Sequence, residues 1–423
     1  MKKLRIALWN NLPSGGGKRA FFEMASGLVG KGHHLESWCP PTAHRSYLPL
    51  EGMMRENVVA YDIPSFKQNR FLARIGVADR SIQNKFAAMD RHCRECAGGI
   101  NAGGFDVLLA TNCWDFAVPP IGRHVRIPKV IYHGEPRRHL YEARPKLPWV
   151  ARPAAENGFW PLPKLRRQIV DHSSIVLKRI ELREELDSVS AFDLILVNSA
   201  FSRETMLRSY GLDSRVCYLG INTQLFKSTG TAREGYVVGL GGFQRHKGID
   251  TAIAALATIP SPERPKLLWI GNLLDDSYRN EMIALSKNLE VNLECRQLVS
   301  DEELVDCLNR AALMIYTSRL EPFGFAPLEA NACGTPVVAV AEGGVRETVQ
   351  HEVNGLLVPD RDAKALGAAV QRLLKDCSLA RQLGETGLKL VREVWNWESS
   401  MERLEESLFE VIAVKNQVSP TKS

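Results

Sequence analysis

The stretch RLEPFGFAPLEANACG, Arg319–Gly334, decides the fold and the position of the candidate site. The apolar run Leu313–Ser318 before it predicts a buried strand, and APLEANACG predicts a helix that ends at Gly334. The turn between them therefore lies at the carboxyl end of a strand. A loop followed by a helix can bring Glu321 and Glu329 to one pocket, whereas one continuous helix would separate them by roughly 12 Å. Exposed amides at the helix start favour a phosphate or diphosphate there.

Short apolar runs alternate with amphipathic ones along the chain, which predicts an α/β protein with two doubly wound sheets. A first series of strands is expected at Leu4–Trp9, Leu35–Cys39, Phe105–Ala110, Lys129–His133 and Leu194–Asn198. A second series is expected at Tyr236–Leu240, Leu267–Ile270, Leu293–Leu298, Leu313–Thr317 and Pro336–Val340. We therefore expect an N-terminal domain over 1–225, a polar linker over 226–235, a C-terminal domain over 236–395, and a helix with a tail over 396–423.

The composition of the 423 residues, 45% hydrophobic and 24% charged, is typical of a globular enzyme with two cores. No apolar run approaches the roughly 20 residues that span a bilayer. The start, MKKLRIALWN, runs directly into a strand and lacks the features of a signal peptide. These observations predict a cytoplasmic location. A net charge of +6 is modest for this length and does not indicate nucleic-acid binding.

The nine cysteines lie mostly in apolar segments, which favours reduced core thiols over a disulfide framework. Cys93 and Cys96 form a CxxC pair beside His92. No second pair lies nearby to complete a tetrahedral zinc site. A polar helix with incidental thiols is therefore favoured over a metal site, and no metal is predicted elsewhere.

Basic residues interspersed with apolar ones crowd two stretches, Lys67–Lys85 and Arg137–Arg167. The second stretch also contains Trp149, Phe159 and Trp160. Such a surface could associate peripherally with an anionic membrane, on the inner face of the plasma membrane, or hold a phosphorylated acceptor. A solvated helix face with a loop packed on the domain explains the same pattern equally well.

Several ordered motifs resemble the family 4 glycosyltransferases, the large retaining group with the two-domain GT-B fold. They are the E-x7-E segment quoted first, SGGGKR (14–19), FDLILVNSAFSRE (192–204), GGFQRHKGID (241–250), GGVRETV (343–349) and NGLLVP (354–359). The resemblance covers most of the chain. It implies two Rossmann-like domains that face each other across a cleft, with a C-terminal helix that crosses back to the N-terminal domain.

The resemblance also implies roles for the charged residues. Glu321 would meet the transferred sugar near the reacting face, and Glu329 would accept hydrogen bonds from the ribose hydroxyls. Lys247 and Arg245 would neutralise the departing diphosphate. Many relatives carry an arginine where this chain has Gly242, so Arg245 would supply that charge from another place on the loop.

The remaining residues predicted to bind the donor are backbone positions. In SGGGKR the glycines follow a strand and precede the helix AFFEMASGLVGKG, where amides could approach a diphosphate; a merely tight turn is the alternative. A dinucleotide site is disfavoured because the G-x-G-x-x-G spacing is absent. The base is expected near Gln297–Val299. The predicted set is Gly16, Gly17, Gly324, Phe325, Ala326 and Leu298.

The segment HGEPRR resembles the H-x-x-P-R segment of relatives that act on bacterial surface polysaccharides, often mannosyltransferases. His133 would then face the transferred sugar or the acceptor through hydrogen bonds. A histidine at a strand end is also often structural, and that alternative stays open. Arg137 and Arg138 would contact an acceptor phosphate.

The function that the resemblance implies is transfer of a hexosyl unit from a nucleotide diphosphate sugar, such as GDP-mannose, to a glycan or lipid-linked acceptor. Retention without a metal or other cofactor is expected, and the D-x-D at Asp360–Asp362 is interpreted as solvated. Paired carboxylates could instead indicate a hydrolase; the phosphate-binding loops argue against it. A non-hydrolysing nucleotide-sugar epimerase and a catalytically silent sugar-nucleotide-binding protein remain as alternatives.

Overall fold

The structure, a computed structural model, describes residues 2–63, 81–143, 147, 150, 161–272 and 275–418. The chain divides into two units. Unit 1 comprises Met1–Val197, Arg203–Arg215 and Leu404–Ser423. Unit 2 comprises Asn198–Ser202 and Val216–Arg403.

Unit 1 alternates strands with helices, as expected of a doubly wound sheet. Its described strands are β1 (Arg5–Asn11), β2 (His34–Cys39), β3 (Arg55–Val58), β4 (Val107–Cys113), β5 (Lys129–Tyr132), β6 (Leu194–Val197) and β7 (Arg215–Val216). Its described helices are α1 (Gly16–Gly30), α2 (Ser81–Ala102), α3 (Arg138–Tyr141), α4 (Pro161–Val189) and α5 (Ala200–Tyr210), whose first residues belong to unit 2.

The sheet of unit 1 has the order β3-β2-β1-β4-β5-β6-β7. β1 pairs in parallel with both β2 and β4, and its residues from Ile6 onward are buried, as expected of a strand covered on both faces. The chain runs outward from β1 to β3 and then returns to β4 on the other side of β1. The carboxyl ends of β1 and β4 therefore form the topological switch point, where open α/β sheets bind ligands.

Unit 2 repeats this architecture. Its described strands are β8 (Tyr236–Leu240), β9 (Lys266–Gly271), β10 (Leu293–Gln297), β11 (Leu313–Tyr316), β12 (Val337–Val340) and β13 (Gly355–Val358). Its described helices are α6 (Ile249–Ala257), α7 (Asp276–Asn288), α8 (Asp301–Arg310), α9 (Phe325–Ala332), α10 (Val345–Thr348), α11 (Ala363–Lys375), α12 (Cys377–Glu393) and α13 (Trp397–Val418), whose residues from Leu404 onward belong to unit 1.

The sheet of unit 2 has the order β10-β9-β8-β11-β12-β13, and its strands pair in parallel. The core between the sheet and its helices includes Val237, Trp269, Leu313 and Ile315 from the strands, and Ile253 and Leu256 from α6. The switch point of this sheet lies between β8 and β11. The loops that follow these two strands carry Lys247 and Glu321.

The stretch predicted as a linker, 226–235, lies within unit 2. Arg233 anchors it there, because its guanidinium donates hydrogen bonds to backbone carbonyls and one hydroxyl. These acceptors are the carbonyls of Leu308, Asn309, Ala311 and Cys333, and Oγ1 of Thr335. The polar, aperiodic sequence predicted a linker, but it does not reveal that the hydrogen bonds of a single arginine can fix such a segment.

Residues from Leu404 onward in α13 join unit 1 through ion pairs. Glu405 accepts hydrogen bonds from Lys31 Nζ and His33 Nε2, each at 2.9 Å. Arg215 forms two hydrogen bonds with Glu410. Within the described ranges, no helix is both long and apolar enough to cross a bilayer.

The predicted α/β class with two doubly wound domains is confirmed, and every predicted strand is present. The sequence analysis missed β3, β7 and β13, which are short strands in the outer part of their sheets. It also placed the first helix too late. The structure begins α1 at Gly16, so two of the glycines form its first turn and do not precede it.

Candidate active site

Two loops meet at the switch point of unit 2. The loop after β8 ends in a short 3-10 helix, Arg245–Lys247, and the loop after β11 leads to Glu321. Thr317 Oγ1 donates to the carbonyl of Lys247 at 2.9 Å, which joins the loops. Lys247 Nζ lies 2.7 Å from Glu321 Oε2, and both side chains are 20% exposed. The structure therefore brings together two residues that lie 74 positions apart.

Glu321 remains ionised in this environment. Burial acts to raise the pKa of its carboxyl, but the charge of Lys247 and hydrogen bonds from Lys247, Ser318 and Tyr316 outweigh it and lower the pKa to about 2. Ser318 Oγ donates to Oε2 at 2.7 Å. The result is a carboxylate with fixed orientation at any physiological pH, able to accept hydrogen bonds from a ligand's hydroxyls.

Strained backbone positions hold the Glu321 loop in place. Leu320 has φ 51°, a left-handed conformation that is uncommon for a residue other than glycine. The amide of Gly344 donates to the carbonyl of Glu321 at 2.7 Å. A Cβ on Gly343 would lie 2.3 Å from that same carbonyl oxygen, so only glycine fits there. Strain of this kind clusters at functional sites.

Gly324 precedes α9 with φ 102°, and α9 has no side-chain N-cap. The amides of Phe325 and Ala326 are in the first turn of this helix. They therefore have no intrahelical acceptor and no capping side chain. With the helix dipole they form a local environment that favours an anion. The predicted donor-binding positions Gly324, Phe325 and Ala326 thus lie at one helix start, next to Glu321 in sequence.

Glu329 lies on α9 and is half-buried. Burial, and then the negative charges of Glu321 and Glu329, raise the pKa of the Tyr316 phenol well above its usual value. Both predicted carboxylates thus act on the same buried tyrosine at the end of β11. That the two glutamates face one ligand stays a prediction.

Arg245 pairs with a residue outside the Lys247–Glu321 contact, and Leu298 is exposed. Arg245 is 75% exposed, lies 2.6 Å from Glu281 Oε2 of α7, and stacks over Tyr278. Its charge is therefore already paired with a carboxylate on that helix. Leu298 follows β10 with φ 50° and is 73% exposed. It is a large apolar side chain presented at the carboxyl edge of the sheet.

In unit 1, Gly16 and Gly17 form the first turn of α1, which also lacks a side-chain N-cap. The preceding Gly15 has φ 137°, and a Cβ there would meet no atom within 4 Å. The open space means that backbone conformation, not crowding, favours glycine at this position. The predicted role of Gly16 and Gly17 in phosphate binding stays a prediction.

His133 is fully buried at the end of β5, and both of its ring nitrogens have partners within unit 1. Nδ1 lies 2.8 Å from Asn112 Oδ1, and Nε2 lies 3.0 Å from the hydroxyl of Tyr210. That hydroxyl donates to Glu185 Oε1 at 2.5 Å. Burial lowers the pKa of His133 to about 3, so the imidazole is neutral at physiological pH.

Arg137 and Arg138 are engaged with glutamates near His133. The amide of Arg137 donates to Glu185 Oε1 at 3.1 Å. The Arg138 side chain donates to Glu142 at 2.7 Å and to Glu135 at 3.3 Å. The charge of Arg138 is thus balanced by carboxylates inside unit 1. Its proposed contact with an acceptor phosphate would need one of these pairs to open.

The sequence analysis missed the residues that support the charged ones. Tyr316 and Ser318 orient Glu321 but were interpreted only as parts of an apolar strand. Their hydroxyls directly before a glutamate at a strand end were the available signal. Tyr210 and Glu185, which lie beneath His133, carry no local signal because they are far away in sequence.

The remaining sequence features are structural or fall outside the described residues. Cys93 and Cys96 are buried free thiols, and burial raises the pKa of both. In the described part of the chain, no cluster of three or more His, Cys, Asp or Glu side chains could hold a metal ion. Asp362 caps α11 through the amide of Ala365, and Asp360 pairs with Arg319.

The two basic stretches lie partly outside the described residues. Residues 64–80, 144–146, 148–149 and 151–160 lie outside the described residues, and these include Trp149, Phe159 and Trp160. The hypothesis that these stretches form a membrane or acceptor surface stays a prediction.

Residues 222–390 match the family model described as glycosyl transferases group 1. N-acetyl-alpha-D-glucosaminyl L-malate synthase of Bacillus anthracis is 28% identical over 235 residues, 54% of this chain and 61% of that protein. The GDP-mannose-dependent alpha-(1-6)-phosphatidylinositol monomannoside mannosyltransferase of Mycobacterium tuberculosis is 28% identical over 243 residues, 51% of this chain and 61% of that protein. The matches thus span about 61% of the length of these curated relatives.

A solved structure of sucrose-phosphate synthase from Thermosynechococcus elongatus superposes with a TM-score of 0.71 and 22% identity, covering 97% of this chain and 100% of that one. At this identity the likeness shows the fold. It is the GT-B fold, with two Rossmann-like α/β domains. The residues matched by the family model include Lys247, Glu321 and Glu329.

Proposed function

We propose that this protein is a group 1 glycosyltransferase, which moves a hexosyl unit from a nucleotide diphosphate sugar to a glycan or lipid-linked acceptor. The observation that carries the proposal is the Lys247–Glu321 pair at the switch point of unit 2. It combines a cation with an ionised carboxylate beside an uncapped helix start. The cation and the helix amides suit a diphosphate, and the carboxylate suits the hydroxyls of a sugar.

In the proposed reaction, unit 2 binds the donor. Lys247 and the first amides of α9 hold the diphosphate, and the charge of Lys247 stabilises it as it leaves. Glu321 accepts hydrogen bonds from the hydroxyls of the transferred sugar, and Glu329 accepts them from the ribose. Arg245, if released from Glu281, would add a second cation. The mechanism needs no resident metal or cofactor.

Transfer proceeds with retention in this proposal. The acceptor oxygen bonds to the anomeric carbon on the face from which the diphosphate oxygen departs. The bond between the anomeric carbon and that oxygen breaks with its electron pair going to the diphosphate, and the acceptor's hydroxyl proton passes to the departing phosphate. The products are the glycoside and a nucleoside diphosphate, and no enzyme nucleophile is consumed.

The first test is a thermal-shift screen with nucleoside diphosphates and their sugars, including GDP-mannose, UDP-glucose and UDP-N-acetylglucosamine. We expect one nucleotide series to stabilise the protein, because ligands that bind only the folded state raise its melting temperature. GDP-mannose is the expected donor, by similarity to the mycobacterial mannosyltransferase. The same donor should then support transfer to added glycans, with the anomeric configuration followed by NMR.

Matched variants make this test specific. Glu321→Ala and Lys247→Ala should abolish transfer and weaken the shift. Lys266→Ala removes another Lys–Glu pair of the same unit, Lys266 with Glu294 at 2.9 Å, but at the amino end of β9. This control should bind donor like the wild type. Normal turnover in Glu321→Ala or Lys247→Ala would contradict the proposal, and an epimerised nucleotide sugar formed without acceptor would favour the epimerase.

A further inference from the structure

The switch point of unit 1 carries an exposed aromatic side chain. β4 ends at Cys113, and the next residue, Trp114, has 63% of its surface exposed. The other tryptophans in the described part of the chain are buried or half-buried: Trp9, Trp38, Trp269, Trp395 and Trp397. Among the described tryptophans Trp114 is therefore the exception, and it lies at the edge where a doubly wound sheet binds ligands.

The segment that presents Trp114 is held firmly to β1. The amide of Trp114 donates to the carbonyl of Asn11 at 2.7 Å, and the amide of Cys113 donates to the carbonyl of Ala117 at 3.3 Å. The side-chain amide of Asn11 donates to Cys113 Sγ at 3.4 Å. The indole is thus exposed on a fixed support, as a preorganised ligand contact would be.

The residue after Trp114 in sequence, Asp115, carries a carboxylate. Asp115 Oδ2 accepts a hydrogen bond from the side-chain amide of Asn11 at 3.1 Å, and Asn11 Oδ1 accepts one from Thr42. One bond leaves most of the acceptor capacity of this carboxylate for other donors. The end of β4 thus offers an exposed aromatic side chain and, one residue later, a carboxylate held by Asn11.

We propose that Trp114 and Asp115 bind a sugar ring of the acceptor. The C–H groups on one face of a pyranose carry partial positive charge and pack on the electron-rich face of an indole. Its hydroxyls would donate to Asp115. This inference rests on the proposed function, because it assigns the acceptor site of that reaction to unit 1. Under this proposal, unit 1 recognises the acceptor through its sugar ring and not through a phosphate.

The test uses the full-length protein and a panel of methyl glycosides, with methyl α-D-mannopyranoside, methyl α-D-glucopyranoside and methyl β-D-galactopyranoside as probes. Saturation-transfer NMR should show contact with the C–H protons of one sugar face, and a titration gives the dissociation constant. Trp114→Ala should weaken binding about tenfold, which corresponds to about 1.4 kcal/mol. Trp114→Phe should retain more affinity, and Asp115→Asn should weaken binding while keeping the C–H contacts.

Two controls separate this inference from the proposed function. Leu207→Ala alters another exposed apolar residue of unit 1, on α5, and should bind glycosides normally. The thermal shift caused by the donor nucleotide should be the same in all four variants. Failure of the wild type to bind any donor would refute the proposed function alone, since glycoside binding is measured separately.

The inference itself is wrong if the wild type binds none of the glycosides or if Trp114→Ala binds them as well as the wild type does. Sedimentation with vesicles of phosphatidylcholine and phosphatidylglycerol tests a different use of an exposed tryptophan. Vesicle binding that depends on Trp114, with unchanged glycoside affinity, would assign the indole to a lipid surface and overturn the proposal.

Discussion

Replacing Lys247 with methionine is expected to destabilise unit 2 by about 3 kcal/mol at neutral pH, because the Glu321 carboxylate would lose its cation while remaining largely buried. The native environment holds the pKa of Glu321 at about 2, against 4.5 for an unperturbed glutamate. At about 1.4 kcal/mol for each pKa unit, this difference corresponds to about 3 kcal/mol of stability.

The sign of this contribution fixes its pH dependence. Since the folded-state pKa is lower than the unfolded one, the contribution is fully present above pH 4.5 and is lost as the pH falls through about 2. In Lys247→Met, burial dominates and raises the pKa of Glu321. The variant carboxyl then takes up a proton on acidification. The stability difference between wild type and variant should therefore shrink from about pH 7 to about pH 3.

Urea unfolding followed by circular dichroism at several pH values measures this difference. The matched control is the double variant Lys247→Met with Glu321→Gln, in which a neutral amide replaces the unpaired carboxylate. It should recover a large part of the lost stability, since removing both partners of a buried pair costs less than removing one. Its transfer activity should stay low, because both the cation and the carboxylate of the proposed site are gone.

A double variant as unstable as Lys247→Met would refute the electrostatic reasoning, and so would a stability difference that does not change with pH. Either result would mean that Lys247 acts through packing of its aliphatic chain against Gly241, near which its side chain lies. Full stability of Lys247→Met at neutral pH would show that water already screens the pair.

Three further predictions concern stability. Gly324→Ala should lower the melting temperature, because φ is 102° and the new Cβ would lie 3.0 Å from a threonine hydroxyl; Gly230→Ala, with φ 70° and open space around it, isolates the backbone cost. For His133 the folded pKa of about 3 is below the usual 6.5, so stability should fall as the pH drops from 6.5 towards 3. The urea concentration at the unfolding midpoint should fall over the same pH range, and His133→Gln should remove this part of the fall. Arg233→Met should cost about 2–4 kcal/mol in urea unfolding, because several buried carbonyls lose their donor; an unchanged midpoint would contradict the anchoring role.

The sequence was sufficient to place Lys247 and Glu321 at one edge. Both follow apolar runs that are too short for helices, and parallel strands in a doubly wound sheet end at the same edge. Strand order cannot be obtained from such runs. All the apolar runs have similar hydropathy, so they do not show which strands are neighbours. The family likeness and the structure show that β8 and β11 are adjacent, which brings the two side chains into contact.

Other features depended on packing that no local pattern records. Gly16 starts α1 although glycine is a poor helix former, because the helix buries an apolar face that includes Phe21 and Leu28. The side chain of Arg245 pairs with Glu281, which comes from a helix 36 residues later. A basic residue in a loop at a strand end predicts a cation near the site. The direction of its side chain depends on partners that become neighbours only after folding.

The His133 cluster shows how a residue can follow the family pattern while its chemistry is set by its neighbours. With a pKa of about 3 the imidazole cannot act as a general acid near neutral pH, and both nitrogens already have partners. Contact with a sugar would require exchange of one of these hydrogen bonds. Asn112 is the partner best placed for such an exchange, because it lies on β4 two residues before Trp114. If a sugar bound at Trp114 also reaches Asn112, Asn112→Ala should weaken glycoside binding without changing the donor-induced thermal shift.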